Sequence, residues 1–153
     1  MNRRKFIKTA GTAAVTASVL TSSLAMPARA TNKIQWKMVT AWPKNLPGPG
    51  VAAQMLADRI TALSGGRLEV KLFAAGELVP GPGVFDAVSQ GTADLYHAVP
   101  AYWGSKSKGI LLFGSQPFGL RADEQLGWMM HGGGQALYDE MYARFNLKPF
   151  LCG

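Results

Sequence analysis

The chain predicts an α/β fold built on a parallel sheet, and three observations carry that expectation. Segments rich in β-formers alternate with segments of helical spacing. Single or paired glycines close the helical segments at Gly65-Gly66 and Gly91. The order reads β-α-β-α-β, and parallel neighbours in that order need crossover helices between them.

The first strand is Ile34-Gln35-Trp36-Lys37-Met38-Val39-Thr40, with Ile34, Trp36 and Met38 at alternate positions. Three prolines make residues 43–50 a loop. The spacing then predicts a helix over Val51 to Ser64, with Val51, Met55, Leu56, Ile60 and Leu63 on its inner face and Asp58 and Arg59 outside it. Leu68 to Phe73 reads as a second strand. Ala74 to Gly83 is a loop, and Val84 to Gln90 a short helix with Phe85 and Val88 inward. Ala93 to Val99 is a third strand, followed by a long loop from Pro100 to Gly109. Asp123 is placed to cap a helix running to Met130. A further helix covers Gln135 to Phe145, and Leu147 to Leu151 is expected to form a fourth strand.

Ligands on such sheets bind beyond the carboxyl ends of the strands. Those ends lie here at Thr40 to Asn45, Ala74 to Val79 and Val99 to Trp103. Trp42, Glu77, Tyr102 and Trp103 gather there. They form either a ligand site or lids on the core.

The N-terminus reads as an export signal. Arg3-Arg4 precede Lys5 and Phe6, a mild apolar run extends from Thr9 to Leu24, and Ala28-Arg29-Ala30 has the small-x-small pattern of a peptidase site. The arginine pair is the address of the twin-arginine (Tat) machinery, which exports folded proteins. Residues 1–30 are therefore expected to be a signal cleaved after Ala30, and residues 31–153 the exported part, working in the periplasm. The charge follows this division. The chain has 16 basic and 9 acidic side chains, but five basic residues and no acidic one fall in residues 1–30. The remainder carries 11 basic against 9 acidic side chains, which gives no basic surface for nucleic acid. Past the signal, the longest apolar stretch, Trp103 to Phe118, is broken by Lys106, Lys108 and glycines and falls short of the roughly 20 residues of a membrane helix. The single cysteine, Cys152, is expected to pack as a small hydrophobe.

Enzyme motifs are largely missing. His131-Gly132-Gly133-Gly134 has the look of an oxyanion loop, yet no Gly-x-Ser-x-Gly elbow accompanies it, and a helix break explains it better. Gly81-Pro82-Gly83 lacks the N–H groups of a phosphate cradle, because Pro80 and Pro82 supply none. His97 and His131 stand far apart without metal-ligand spacing, and His97, mid-strand, reads as packed and hydrogen-bonded. One cysteine and two histidines offer no nucleophile–base pair.

Several local sequences carry a family likeness. Val39-Thr40-Ala41-Trp42-Pro43, Ala74-Ala75-Gly76-Glu77-Leu78-Val79-Pro80, Val84-Phe85-Asp86-Ala87-Val88 and Gln90-Gly91-Thr92 resemble the extracytoplasmic solute-binding subunit (DctP type) of TRAP transporters. Tyr102-Trp103-Gly104-Ser105-Lys106, Gln116-Pro117-Phe118-Gly119-Leu120 and Gly132-Gly133-Gly134 extend the likeness. It is nearest to the branch that binds 2-oxo acids and other small carboxylates. The resemblance implies the N-terminal lobe of a type II-like periplasmic binding protein, truncated before the second lobe. It implies no catalysis, a small organic acid as ligand, and delivery to a TRAP membrane permease. No cofactor is implied in this portion, although a cation accompanies the ligand in some members. The family's carboxylate-clamping arginine would lie further along the chain.

The arginines present, Arg59, Arg67, Arg121 and Arg144, fall on helices or their ends and read as solvated charges. The resemblance places Tyr102 beside the ligand as a hydrogen-bond donor. Trp103, Trp42 and Phe118 are candidates for the apolar wall. Glu77 either orders its loop or touches the ligand. Two other classes are weighed against the receptor. An exported hydrolase would need a catalytic set that is missing. A non-binding remnant or structural periplasmic protein derived from a receptor lobe would share every feature above.

Overall fold

The computed structural model describes residues 33–114 and 116–152. The segment expected to be a signal, residues 1–30 with Arg3, Arg4 and Ala30, lies outside the described residues. The sheet has three parallel strands in the order β2-β1-β3, with β1 Ile34–Thr40, β2 Leu68–Phe73 and β3 Leu95–His97. The central strand pairs along nearly its whole length with β2 and only through Met38, Val39 and Thr40 with β3.

Alternation on β1 sets the layers. Met38 and Val39 are both 1% exposed, and successive strand side chains point to opposite faces. Met38 packs with Val70 against helix α1, Pro49–Leu63, through Ala53 and Ala57. Val39 packs on the other face with Val84 and Phe85 of α2, Val84–Ser89, and with Tyr138 and Tyr142 of α4, Gly134–Ala143. The sheet is therefore covered by helices on both sides, as parallel sheets are.

The inner face of α1 differs from the expected one. Gly50, Ala53 and Ala57 are its buried residues, flanked by Leu56 and Ile60. Val51, Met55 and Leu63 face outward at 46%, 51% and 89% exposure. Small residues at positions four apart let the helix backbone approach the sheet closely, which places the larger side chains at its margins. Gly65 and Gly66, with φ of 64° and 75°, end the helix in a conformation that costs glycine little.

The second face is an aromatic cluster centred on Phe85. Its ring lies 5.3 Å from Trp103, 5.2 Å from Phe145 and 6.0 Å from Tyr142. Phe113 stacks on Tyr138 at 4.4 Å and on Trp128 at 5.6 Å. Trp128 belongs to α3, Ala122–His131. The glycine run between α3 and α4 is a helix break, with Gly133 at φ 84°. A Cβ on Gly132 or Gly134 would meet Trp128 at 2.7 or 2.8 Å, so the break also lets that indole sit close to the backbone.

The long loop after β3 carries short 3-10 turns at Pro100–Trp103 and Lys108–Phe113. Three further expectations are corrected. Arg121, not Asp123, holds the N-cap position of α3, and Glu124 accepts its backbone N–H at 2.9 Å. Residues 147–151 do not form a strand. Pro149 has no N–H for a ladder, its carbonyl is taken by Gln135 Nε2 at 2.9 Å, and an apolar cavity separates the segment from β3. Cys152, beyond it, is exposed rather than packed.

Candidate functional site

The carboxyl ends of β1 and β3 meet in one hydrogen-bonded corner. Thr40 and His97 are register partners and both are buried, at 2% and 8% exposure. The His97 carbonyl accepts Thr40 Oγ1–H at 2.9 Å and the Ala41 N–H at 3.3 Å. Thr40 Oγ1 accepts the Trp42 N–H at 3.3 Å, and the Trp42 carbonyl accepts the Ala75 N–H from the loop after β2 at 2.9 Å. Trp42 Nε1–H donates to His97 Nδ1 at 2.9 Å. All three strand ends are thus tied to Trp42.

Tyr102, on the turn Pro100–Trp103, completes the corner. Its ring lies 6.0 Å from Trp42 and 5.9 Å from Trp103, and the residue is 53% exposed. Proline at the start of that turn presets its backbone. Trp103 is 3% exposed, donates Nε1–H to the Pro82 carbonyl at 3.2 Å and packs among core aromatics. It backs Tyr102 edge-on from the core.

The remaining predicted site residues sit elsewhere. Glu77 holds its loop by accepting the Ala74 N–H at 2.9 Å. It also lines a small polar cavity of about 100 Å³ with Thr40, Lys44 and Gln54, between the ends of β1 and β2 and the start of α1. Phe118 is fully exposed, in a left-handed conformation at φ 57°, and takes no part in the aromatic corner. The four arginines are exposed; Arg121 pairs with Asp123 at 3.1 Å.

His97 and Thr40 are the corner residues not assigned to the site from sequence. Their signal was topological: each ends a strand whose following loop carries a predicted site residue. Burial holds the His97 pKa below its ordinary value of 6.5. Among the described residues, no group of three or more His, Cys, Asp or Glu side chains can hold a metal, and no helix is long and apolar enough to cross a membrane.

A larger cavity, about 540 Å³, runs along the outer edge of β3. Trp36, Leu95, Tyr96, Leu147, Phe150 and Leu151 give it an apolar lining. Lys148 is the cation lining it among the described residues, and it is paired with Asp139. The trough offers a carboxylate little, whereas the corner presents an exposed phenol and aromatic faces held by hydrogen bonds.

A helix-covered parallel sheet with its loops gathered at the strands' carboxyl ends has the architecture of one lobe of a solute-binding protein. The chain belongs to family 7 of the bacterial extracellular solute-binding proteins, DctP, whose model matches residues 38–150. It is 38% identical, over an alignment 157 positions long, to a monocarboxylate 2-oxoacid-binding periplasmic protein of Nostoc, covering all of this chain and 43% of the relative. A TRAP transporter solute-binding protein of Bordetella bronchiseptica, solved with copurified calcium and picolinate, matches at a TM-score of 0.76 and 33% identity, over 79% of this chain and 36% of that one. One from Colwellia psychrerythraea, with bound calcium and pyruvate, matches at 0.75 and 30%, over 77% and 36%. The chain spans less than half the length of each of these relatives. Members of the family are solute-binding proteins rather than enzymes.

Proposed function

We propose that this chain is the N-terminal lobe, residues 31–153, of a periplasmic receptor for a small organic acid of the 2-oxo acid kind, which passes its ligand to a TRAP-type membrane permease. The observation that carries the reading is the Trp42–His97–Tyr102 corner at the carboxyl ends of β1 and β3, in a chain of this family. The Nostoc relative's 2-oxoacid ligand and the pyruvate of the Colwellia structure support the choice of acid. In this reading Tyr102 donates a hydrogen bond to the carboxylate, Trp42 walls the apolar side, and Trp103 braces Tyr102 from behind. Phe118 reaches the ligand only if its loop folds over the corner, and Glu77 serves its loop.

The carboxylate's charge has to be met by a cation outside this corner, since the arginines of this lobe point to solvent. A bidentate arginine from a second lobe is the expected partner. Among the described residues no three His, Cys, Asp or Glu side chains gather to hold a metal ion, so an ion accompanying the acid would need further ligands from beyond them. Export runs through Arg3-Arg4 and the Tat machinery, with cleavage after Ala30; Arg3→Lys with Arg4→Lys should leave precursor in the cytoplasm, as cell fractionation would show.

The direct test is calorimetric titration of pyruvate into a receptor carrying this lobe. Stoichiometric binding is expected there, and much weaker binding to the 153-residue chain alone, because one lobe offers one wall of a cleft. A receptor that binds no 2-oxo acid would favour the second reading, a structural remnant of a receptor lobe. That no arginine lies at the corner among the described residues is the observation that favours that reading.

A further inference from the structure

We propose that His97 is a positioning residue of the ligand wall, holding the Trp42 indole in place as a hydrogen-bond acceptor, and that ligand affinity therefore falls when His97 takes up a proton. This rests on the acid-receptor reading above. The geometry is specific. An indole N–H only donates, so the Nδ1 atom 2.9 Å from Trp42 Nε1 must accept and carry no proton. The neutral ring then bears its single proton on Nε2. The two rings meet edge-on, with centroids 6.4 Å apart at 68°. That contact is made at the indole's edge, and the Tyr102 ring lies against the same indole, 6.0 Å away and tilted by 56°.

The rest of His97 is fixed independently of its ring. Its carbonyl is held by Thr40 and Ala41 and its backbone is part of the β1–β3 ladder. The ring can therefore change its proton count while the strand stays in place. An imidazolium carries N–H on both nitrogens, so Nδ1–H would face the indole N–H and the bond between them is lost. The Trp42 indole would then keep only its packing against Tyr102 and its backbone hydrogen bonds, with no polar anchor to hold the ring in the wall.

The surroundings set the direction of the pH response. Thr40 from β1 commits its hydroxyl to the His97 carbonyl. Tyr102 lies across the Trp42 ring, and Lys44 and Glu77 line the polar cavity beyond Thr40. Asp94, at the start of β3, accepts the Lys37 N–H at 2.7 Å, at the other end of the strand. Burial, rather than any of these charges, is what lowers the His97 pKa from 6.5. His97 therefore stays neutral at neutral pH, and its protonation lies on the acid side of 6.5.

Asparagine and leucine separate the two roles of the ring. Asn Oδ1 occupies roughly the place of His Nδ1 and accepts without titrating; leucine fills the space and accepts nothing. The experiment follows the indole ¹⁵N–H signals of the chain, with the Trp42 signal identified by its loss in Trp42→Phe. In the native chain this signal should move on acidification below 6.5. It should stay near its native position and become insensitive to pH in His97→Asn, and be displaced at every pH in His97→Leu. In a receptor carrying this lobe, pyruvate affinity should fall roughly 2- to 10-fold in His97→Leu at neutral pH, be restored by His97→Asn, and lose its acid dependence in that variant. A Trp42 signal that ignores both pH and His97→Leu would overturn the proposal. So would a pyruvate affinity unchanged by His97→Leu. If His97→Leu does not fold, the native titration and His97→Asn still decide. A receptor that binds no pyruvate at all would defeat the acid-receptor reading, while the indole signals would still report whether His97 holds Trp42.

Discussion

The corner at the carboxyl ends of β1 and β3 and the trough along the outer edge of β3 are both aromatic, and they differ in how their aromatics are held. In the corner, Trp42 is fixed through its indole nitrogen, its N–H and its carbonyl, and Trp103 through its own indole nitrogen. In the trough, Trp36 and Phe150 are 37% and 70% exposed and rest on apolar neighbours. The trough has the larger volume, about 540 Å³. If the acid binds at the corner, as proposed, volume is a poor guide to the site. A small carboxylate needs polar groups in fixed places, because it gains little from apolar surface and loses much if its charge is left unpaired. Hydrogen bonds to backbone and to His97 supply that fixity at the corner.

The sharpest way to break this contrast is at Trp103, which borders both regions. Trp103→Ala removes a side chain that is 3% exposed, together with its bond to the Pro82 carbonyl. Loss of such a buried aromatic costs about 3–5 kcal/mol. Urea denaturation should show that loss, and Tyr102 should lose its backing in the same variant. A change below about 1 kcal/mol would mean that the aromatic core is looser than its packing indicates.

A sequence reading reaches the frame of this comparison and stops short of its detail. β1 and β2 were bounded correctly from Ile34 to Thr40 and from Leu68 to Phe73, because each is a run of β-formers closed by a turn signal. The placement of Trp42 and Tyr102 at strand ends followed from the parallel topology alone. The buried face of α1 did not follow. Periodicity ranks large apolar residues as inward, whereas Ala53 and Ala57 are the residues that let the helix reach the sheet. The Trp42–His97 bond spans 55 residues and has no local signature. Leu147 to Leu151 looked like a strand because β-propensity is a statement about composition, and pairing needs an adjacent edge, which the cavity denies it.

Tyr102→Phe tests the corner from its exposed side. A hydrogen bond to a charged group contributes about 1.5–3 kcal/mol, so pyruvate affinity of a receptor carrying this lobe should fall roughly 10- to 150-fold. The melting temperature of the ligand-free form should hardly change, because Tyr102 is 53% exposed and only its hydroxyl is removed. The opposite pattern, a lowered melting temperature with unchanged affinity, would make Tyr102 a structural lid and remove the main reason for placing the acid at this corner.

The smallest effect is expected in the trough. Phe150→Ser removes a ring that is 70% exposed and lies 5.6 Å from Lys148 Nζ. An exposed cation–π contact is worth about 0.5–1 kcal/mol, which bounds the stability change. Pyruvate affinity should not respond, since Lys148 is already engaged by Asp139 and the lining around it is apolar. Binding of an apolar fluorescent dye should respond, because a lining ring has been replaced by a hydroxyl. The pair of titrations discriminates cleanly. Dye binding lost with pyruvate binding kept leaves the trough an apolar surface separate from the corner, whereas a parallel loss of both would place the acid along the edge of β3 and reverse the assignment of the two regions.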